Sequence, residues 1–415
     1  MWLLYNIGIY IYGLLIFVAS FFDEKAKKRY KGQRETFRYL KSRINGQRGI
    51  LWIHAASYGE FEQARPIIES IKSREPQRKI LLTFFSPSGY EAHKEYKWAD
   101  YICYLPLDTL PNAIRFVKQV RPEMGVFVKY EFWPNILRAC KSRNVPVCVI
   151  SAHFRSNQAF FRWYGRPYVR LLRIFRQIFV QNQESKELLS RVGVEAVTVA
   201  GDTRFDRVAE IALKRKKLPI VESFAGEDRI IVAGSSWPKD EEMLIRYAQK
   251  RGVKLLLAPH EIHESHLNWI EERWKQNGKD KTIVRYTEAT EENVGDKQCL
   301  LINNFGMLSS VYYYGYVAYV GGGFGVGIHN TLEAAVYAMP VVFGPNYHAF
   351  REAKELIETG GGFSVGDYES FEKTMDQLME DNQTAGQNAG RYVTENRGAT
   401  DVILRELLGR DKEQR

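Results

Sequence analysis

Glu60 stands directly after Gly59 in HAASYGEFEQARP (54–66), between a run that reads as a strand, ILWIH, and one that reads as a helix, EQARPIIESIKS. Strand-to-helix turns are where α/β sheets bind ligands. A carboxylate there can take a proton from an attacking hydroxyl. It can equally complement the dipole of the helix it opens. In KYEFWPN (129–135), Lys129 and Glu131 are two apart at the end of an apolar run. A continued strand puts them on one side, as a salt-bridged pair or as part of a site. Pro134 suits the first turn of a following helix. In GDTRFD (201–206), Arg204 can clamp a phosphate or carboxylate, or pair with Asp202 or Asp206.

GGGFGVGIHNTLEAA (321–335) sets glycines after an apolar strand and before a helix-like run. Glycine lets a ligand approach the backbone, and a helix start offers free N–H groups to a phosphate. Glu333, one turn in, can accept hydrogen bonds from ribose hydroxyls. A tight turn with a dipole-complementing Glu is the alternative. Neither GxGxxG after the first strand nor GK[ST] is present, so the dinucleotide fingerprint and the Walker A loop do not apply. APHEIHESH (258–266) spaces His260, His263 and His266 at i, i+3, i+6. Zincins need i, i+4, and an i, i+6 pair drifts off one helical face, which argues against zinc. His260, just after a strand, is better placed to contact a nucleotide. No DxD pair is present to hold a metal–diphosphate.

Elements that position these groups follow from the apolar runs. From residue 50, GILWIHA, KILLTFF, YICYLPL, GVFVKYEF, VPVCVISA, IFVQNQ and VTVAGD read as strands separated mostly by helices such as FEQARPIIESIKS and TLPNAIRFVKQV. A second series begins near 229: RIIVAGSS, KLLLAPH, KTIVRY, CLLINN, YVAYVGG and MPVVFGP, with helices DEEMLIRYAQKR, ESHLNWIEERWKQ and NTLEAAVYA. Continuous apolar strands alternating with helices imply parallel sheets covered on both faces. The expectation is an α/β chain of two Rossmann-like doubly wound domains facing across a cleft, joined by a charged, strand-free linker at about 205–228.

The chain has 415 residues and a net charge of +10, which suits an acidic partner: nucleic acid, an anionic membrane or a phosphorylated substrate. Four cysteines without a CxxC pair read as reduced core thiols in a cytosolic compartment. Residues 2–22 carry no charge and are followed by DEKAKKRYKGQR. That pattern predicts a membrane anchor, lying at least partly in the interface if it does not span, with the rest of the chain in the cytoplasm. A buried N-terminal helix is the alternative. A cleaved signal peptide needs positive charge before the apolar run, and none is there. In FFRWYGRPYVRLLRIFRQIF (160–179), Arg162, Arg166, Arg170, Arg173 and Arg176 form one stripe if helical, either for an anionic membrane face or as a solvated face. Pro167 is a candidate helix start there.

Eight segments in order, HAASYGE, FFSPSGY, YLPLD, EFWPN, GDTRFD, APHE, GIHNTLEAA and VVFGPNYHAF, make the chain resemble the 3-deoxy-D-manno-octulosonic acid (Kdo) transferases of lipid A and lipopolysaccharide biosynthesis in Gram-negative bacteria. The resemblance implies a two-Rossmann (GT-B) inverting glycosyltransferase, metal-independent in the transfer step and without cofactor. It implies CMP-Kdo as donor, a phosphorylated lipid A precursor (lipid IVA) as acceptor, the cytoplasmic face of the inner membrane as location, and no nucleic acid partner. It divides the chain into an anchor (1–22), an acceptor domain (23–205) and a donor domain (206–415), whose last helix has the option of packing back on the acceptor domain. By the same resemblance the proton acceptor is Glu60, and the transition state is stabilised by Arg204. Lys129 joins these two as a catalytic candidate, at a position where the family has an acid. CMP contacts fall on Pro259, His260, Phe305, Gly306, Met307, Asn330, Thr331, Leu332 and Glu333. His260 replaces the family's usual Arg, and Met307 its usual Glu. A UDP-sugar enzyme of the same fold, or a non-catalytic nucleotide- or lipid-binding relative, is the alternative.

Overall fold

The structure, a computed structural model, describes residues 2–44, 46–276, 282–325 and 327–409. The chain divides into two compact units, residues 1–207 with 397–415, and residues 208–396. The charged residues beyond 409 lie outside the described residues.

Seven parallel strands form the sheet of the first unit: β1 (Ile50–Ala55), β2 (Lys79–Phe84), β3 (Tyr101–Tyr104), β4 (Pro122–Val128), β5 (Val147–Ala152), β6 (Gln177–Val180) and β7 (Val197–Val199). Their order is β3-β2-β1-β4-β5-β6-β7. Every residue of β1 is buried, as a central strand covered on both faces requires. Trp52 faces one layer with Phe116 and Phe127, while Leu51 and Ile53 face the other with Phe61 and Ile67. The last helix, Ala399–Gly409, puts Ile403, Leu404 and Leu407 into that second layer. Its start is fixed by Asp206, which accepts from the N–H groups of Gly398 and Thr400 at 2.6 and 2.7 Å.

The second unit repeats the plan with β8 (Ile231–Ser236), β9 (Leu255–Pro259), β10 (Ile283–Arg285), β11 (Cys299–Leu301), β12 (Val317–Val320), β13 (Val341–Phe343) and β14 (Gly362–Ser364). All pairs are parallel, in the order β10-β11-β9-β8-β12-β13-β14. β14 is absent from the strand series read in the sequence, because three residues flanked by glycine carry no periodic signal. The expected helix over NTLEAAVYA shrinks to Leu332–Ala335. Ala338 takes a left-handed φ of 56° and Pro340 follows, so the helix cannot propagate.

Two further expectations change. The helix within 160–179 covers only Arg166–Leu172. Arg162 precedes it in extended conformation, and Arg173 caps it while donating to the Gly193 and Val192 carbonyls at 3.1 Å. The continuous arginine stripe therefore does not form. Instead Arg162, Arg166, Arg170, Arg173 and Arg191 line one cavity of about 650 Å³ with Trp163 at its edge, and no carboxylate lines it. All four cysteines are buried and free.

Candidate active site

Each sheet has a central switch point where the chain crosses from one half to the other, and ligands bind at the carboxyl ends of the strands there. In the first unit that point lies between β1 and β4. The loop after β1 delivers Glu60, and the loop after β4 delivers Lys129 and Glu131. β4 ends at Val128, and Lys129 adopts a left-handed φ of 57°. Strand alternation therefore stops before Lys129, and the two side chains do not share a strand face. A β-branched or apolar residue rarely tolerates that conformation, and such outliers gather at functional sites. Ser151 (φ 52°) and Ser235 (φ 53°) sit beside register shifts near the carboxyl ends of β5 and β8. Bulges of this kind re-aim side chains at sheet rims.

Glu60 is the third residue of helix Tyr58–Arg74, and the Ser57 N–H donates to its Oε2 at 3.1 Å. It caps its helix start, and it sits at the switch point. Burial raises the Glu60 carboxyl above the usual glutamate range, and the charge of Glu131 adds to this against His54 and Lys129. Glu131 accepts from Trp133 Nε1 at 2.8 Å and contacts His54 Nε2 at 3.3 Å. His54 is fully buried, with Nδ1 at 2.9 Å from the Thr83 hydroxyl, which in turn receives Trp52 Nε1–H at 2.8 Å. Nδ1 also lies 3.0 Å from the Thr83 backbone carbonyl. Sequence reading passed over His54 and Glu131's fixed position. The signal was a histidine inside an otherwise apolar strand.

Arg204 donates to Asp202 through Nε at 2.9 Å and through the terminal guanidinium at 2.8 Å. Asp202 also accepts from Gln63 and Gln181 at 3.0 and 2.9 Å. Burial pushes the Asp202 carboxyl up, but Arg204 and these donors outweigh it and leave it below the usual range. The pairing named as Arg204's alternative is thus formed.

In the second unit the switch point lies between β8 and β12. β11, β9, β8 and β12 are successive in the sheet, and their loops carry all the CMP-contact candidates. Pro259 ends β9, and the His260 N–H donates to the Ser236 carbonyl at 3.0 Å. The His260 ring stacks on Trp237 at 4.9 Å and on His329 at 4.4 Å, and Trp237 Nε1 donates to His329 Nε2 at 3.3 Å. Burial and then His260 push His329 down to about 4, so its ring is neutral at neutral pH. Asn330 Nδ2 donates to Glu333 at 2.9 Å, and Asn330 Oδ1 accepts from the Leu332 N–H at 3.2 Å. The Leu332 side chain is in the core, and the buried Thr331 hydroxyl has no hydrogen-bond partner among the described residues. After β11, Phe305 is exposed, Gly306 has φ 84°, and Met307 is nearly buried.

The glycine run answers first to the protein's own backbone. A Cβ on Gly321 would collide with Ser235, and one on Gly323 with the Gly344 backbone. Asp240 holds the run in place, accepting from Gly322 N–H at 2.9 Å, Trp237 N–H at 2.9 Å and Tyr319 O–H at 2.7 Å. The three histidines of 258–266 go to different partners: His260 to the stack, His263 to the start of helix Glu264–Lys275, and His266 to Glu241 at 3.1 Å.

The family model described as 3-deoxy-D-manno-octulosonic-acid transferase (kdotransferase) matches residues 28–207. The matched segment ends at Arg207, where the chain leaves the first unit. Beyond it, similarity continues over most of the chain. The 3-deoxy-D-manno-octulosonic acid transferase of Aquifex aeolicus is 29% identical over 336 residues, 79% of this chain and 85% of that protein. That of Haemophilus influenzae is 29% identical over 374 residues, 85% of each. Among solved structures, the UDP-GlcNAc 2-epimerase of Methanocaldococcus jannaschii aligns with TM-score 0.55 and 16% identity, covering 83% of this chain and 98% of its own. At that identity the likeness speaks for the fold alone.

Proposed function

We propose that the protein is a glycosyltransferase of lipopolysaccharide biosynthesis. It moves Kdo from CMP-Kdo to a hydroxyl of a phosphorylated lipid A precursor, lipid IVA, with inversion, at the cytoplasmic face of the inner membrane. The observation that carries this reading is Glu60: a half-buried carboxylate of raised basicity at the switch point of the kdotransferase segment. An unperturbed glutamate is a weak base for an alcohol. Burial makes Glu60 a stronger one, and the Ser57 N–H orients it. In the transfer step the acceptor oxygen bonds to the anomeric carbon as the bond to the CMP phosphate breaks. The hydroxyl proton passes to Glu60, and CMP departs as a phosphate monoester. We assign Lys129 and Arg204, the latter held by Asp202, to offsetting the negative charge of the leaving phosphate.

Donor binding is assigned to the second unit, with the stacked His260 facing the nucleotide, the 330–333 loop and Glu333 on the ribose, and Phe305, Gly306 and Met307 completing the contacts. The arginine-lined cavity of the first unit supports an anionic acceptor or surface. Mass spectrometry of lipid IVA incubated with the protein and CMP-Kdo generated in situ tests the reading. One or more Kdo mass increments are expected, with CMP rather than UDP as competitor. An unchanged lipid, or competition by UDP, overturns it.

A further inference from the structure

The N-terminal helix, Trp2–Ala19, is long and apolar enough to cross a bilayer by composition. Its contacts argue otherwise. From Trp2 to Gly13 one face is bound to the rest of the first unit. Tyr5 O–H donates to Asp108 at 2.7 Å, and Asn135 Nδ2 donates to Asn6 at 2.9 Å. The Arg138 guanidinium lies 4.0 Å from the centre of the Trp2 ring. Arg29 donates to the Tyr12 hydroxyl at 2.6 Å and covers Phe85 at 3.5 Å. Gly13 sits so close to Leu107 that a Cβ would run into it, and Ile9 is buried. Positions 2, 5, 6, 9, 12 and 13 are one helical stripe.

Asp108 is deeply buried and already holds the start of helix Pro134–Ser142 through the N–H groups of Asn135 and Ile136, at 3.0 and 2.8 Å. Pulling the N-terminal helix away into a bilayer would strand Tyr5 and Asn6 in hydrocarbon and remove one donor from this carboxyl. The opposite face is apolar and bare: Leu3, Leu4, Ile7, Ile11, Leu14 and Val18 are all exposed, Leu3 at 73%. The next helix, Glu24–Arg43, exposes Lys25, Lys28, Lys31 and Arg38, none of which has a carboxylate partner among the described residues. An apolar stripe followed by unpaired cations is complementary to acyl chains beneath anionic headgroups.

We infer that the N-terminal helix lies in the plane of an anionic phospholipid leaflet, seated through its Leu3-to-Val18 face, and does not cross it. The helix stays docked on the first unit, and Asp108 ties it to the segment that carries Glu131. This deepens the membrane part of the functional reading. The test is read without donor or turnover, so its failure leaves the transfer chemistry untouched, and lost turnover leaves this inference untouched.

The full chain is given a short tag ahead of Met1 bearing one cysteine; the native cysteines are all buried. It is bound from outside to closed vesicles of phosphatidylethanolamine with rising phosphatidylglycerol. A membrane-impermeant maleimide is expected to label the tag fully in intact vesicles. Protection until detergent is added means the helix crosses, and overturns the inference. A second variant, Leu4→Glu with Ile11→Glu and Leu14→Glu, changes only exposed positions. It is expected to keep the parent's melting temperature and to bind vesicles roughly tenfold or more weakly. Vesicle binding equal to the parent overturns the proposed face.

Discussion

Each seven-stranded sheet has a central switch point, and the same topological place is filled with opposite chemistry. In the first unit the loops after β1 and β4 bring ionisable groups together: Glu60, Glu131, Lys129 and the buried His54. In the second, the loops after β8, β9 and β12 bring backbone and rings: the glycine run, Trp237, His260 and His329. The second unit also has carboxylates near its switch point, Asp240 and Glu241. Both are buried, and their hydrogen bonds go to the protein itself: Asp240 to Gly322, Trp237 and Tyr319, Glu241 to Ser236 and His266. The fold supplies the place.

Removing Asp240 should give the largest effect and mark the structural side of the comparison. Asp240→Ala leaves two buried donors and one part-buried donor without an acceptor, each worth about 1–3 kcal/mol, so a loss of about 3 kcal/mol or more is expected in urea unfolding. A stability within about 0.5 kcal/mol of the parent would show that water replaces the carboxylate and that the glycine run does not depend on it.

The chemical side is broken by Glu60→Gln. Glutamine still accepts from the Ser57 N–H, so the helix start survives, but it takes no proton. Turnover should fall on the order of a hundredfold or more, with CMP affinity nearly unchanged in calorimetry. Near-normal turnover removes Glu60 from the role of base.

Much of this contrast could be read in the sequence, and the parts that could not have physical reasons. Each of the seven strand-like runs of the first series contains a strand, because an apolar run bounded by turns is unambiguous in a parallel sheet. Glu60, Arg204 and the 330–333 loop drew attention through position alone. What position could not give was partnership. Arg204's bond to Asp202, the His54–Glu131 contact and the tie between Tyr5 and Asp108 join residues that strand alternation or spacing treats as independent. The glycines of 321–323 suggested room for a ligand, and the space is taken by the strand ends of β8 and β13. Lys129 looked like a strand residue because nothing local announces a left-handed backbone at a lysine.

A smaller effect belongs to the second unit's ligand contacts. Glu333→Ala removes the carboxylate that Asn330 fixes and that is assigned to the ribose. CMP binding should weaken by at least about 1.5 kcal/mol, roughly tenfold. Unaltered affinity in a folded variant assigns Glu333 to the Asn330 turn alone.

The smallest effect is the sharpest, because it acts on the first unit and has a sign. The Glu60 carboxyl is raised by burial and then by Glu131. A base must be ionised, so kcat/KM should fall as pH falls through the raised Glu60 value, higher than for an exposed glutamate. Stability runs the other way. A carboxyl raised on folding favours the folded state below its unfolded pKa, and that contribution is lost as pH rises through the folded value. Glu60→Gln should therefore lose less stability than the parent over that rise, while losing turnover. Glu131→Gln keeps a polar group beside Trp133 and His54 but removes the charge next to Glu60. The acid limb of its kcat/KM profile should move to lower pH, with the plateau lowered only modestly. A limb that moves to higher pH, or stays where it was, means that Glu131 does not set the basicity of Glu60, and the polar cluster between β1 and β4 is then held together for the fold, as Asp240 is in the second unit.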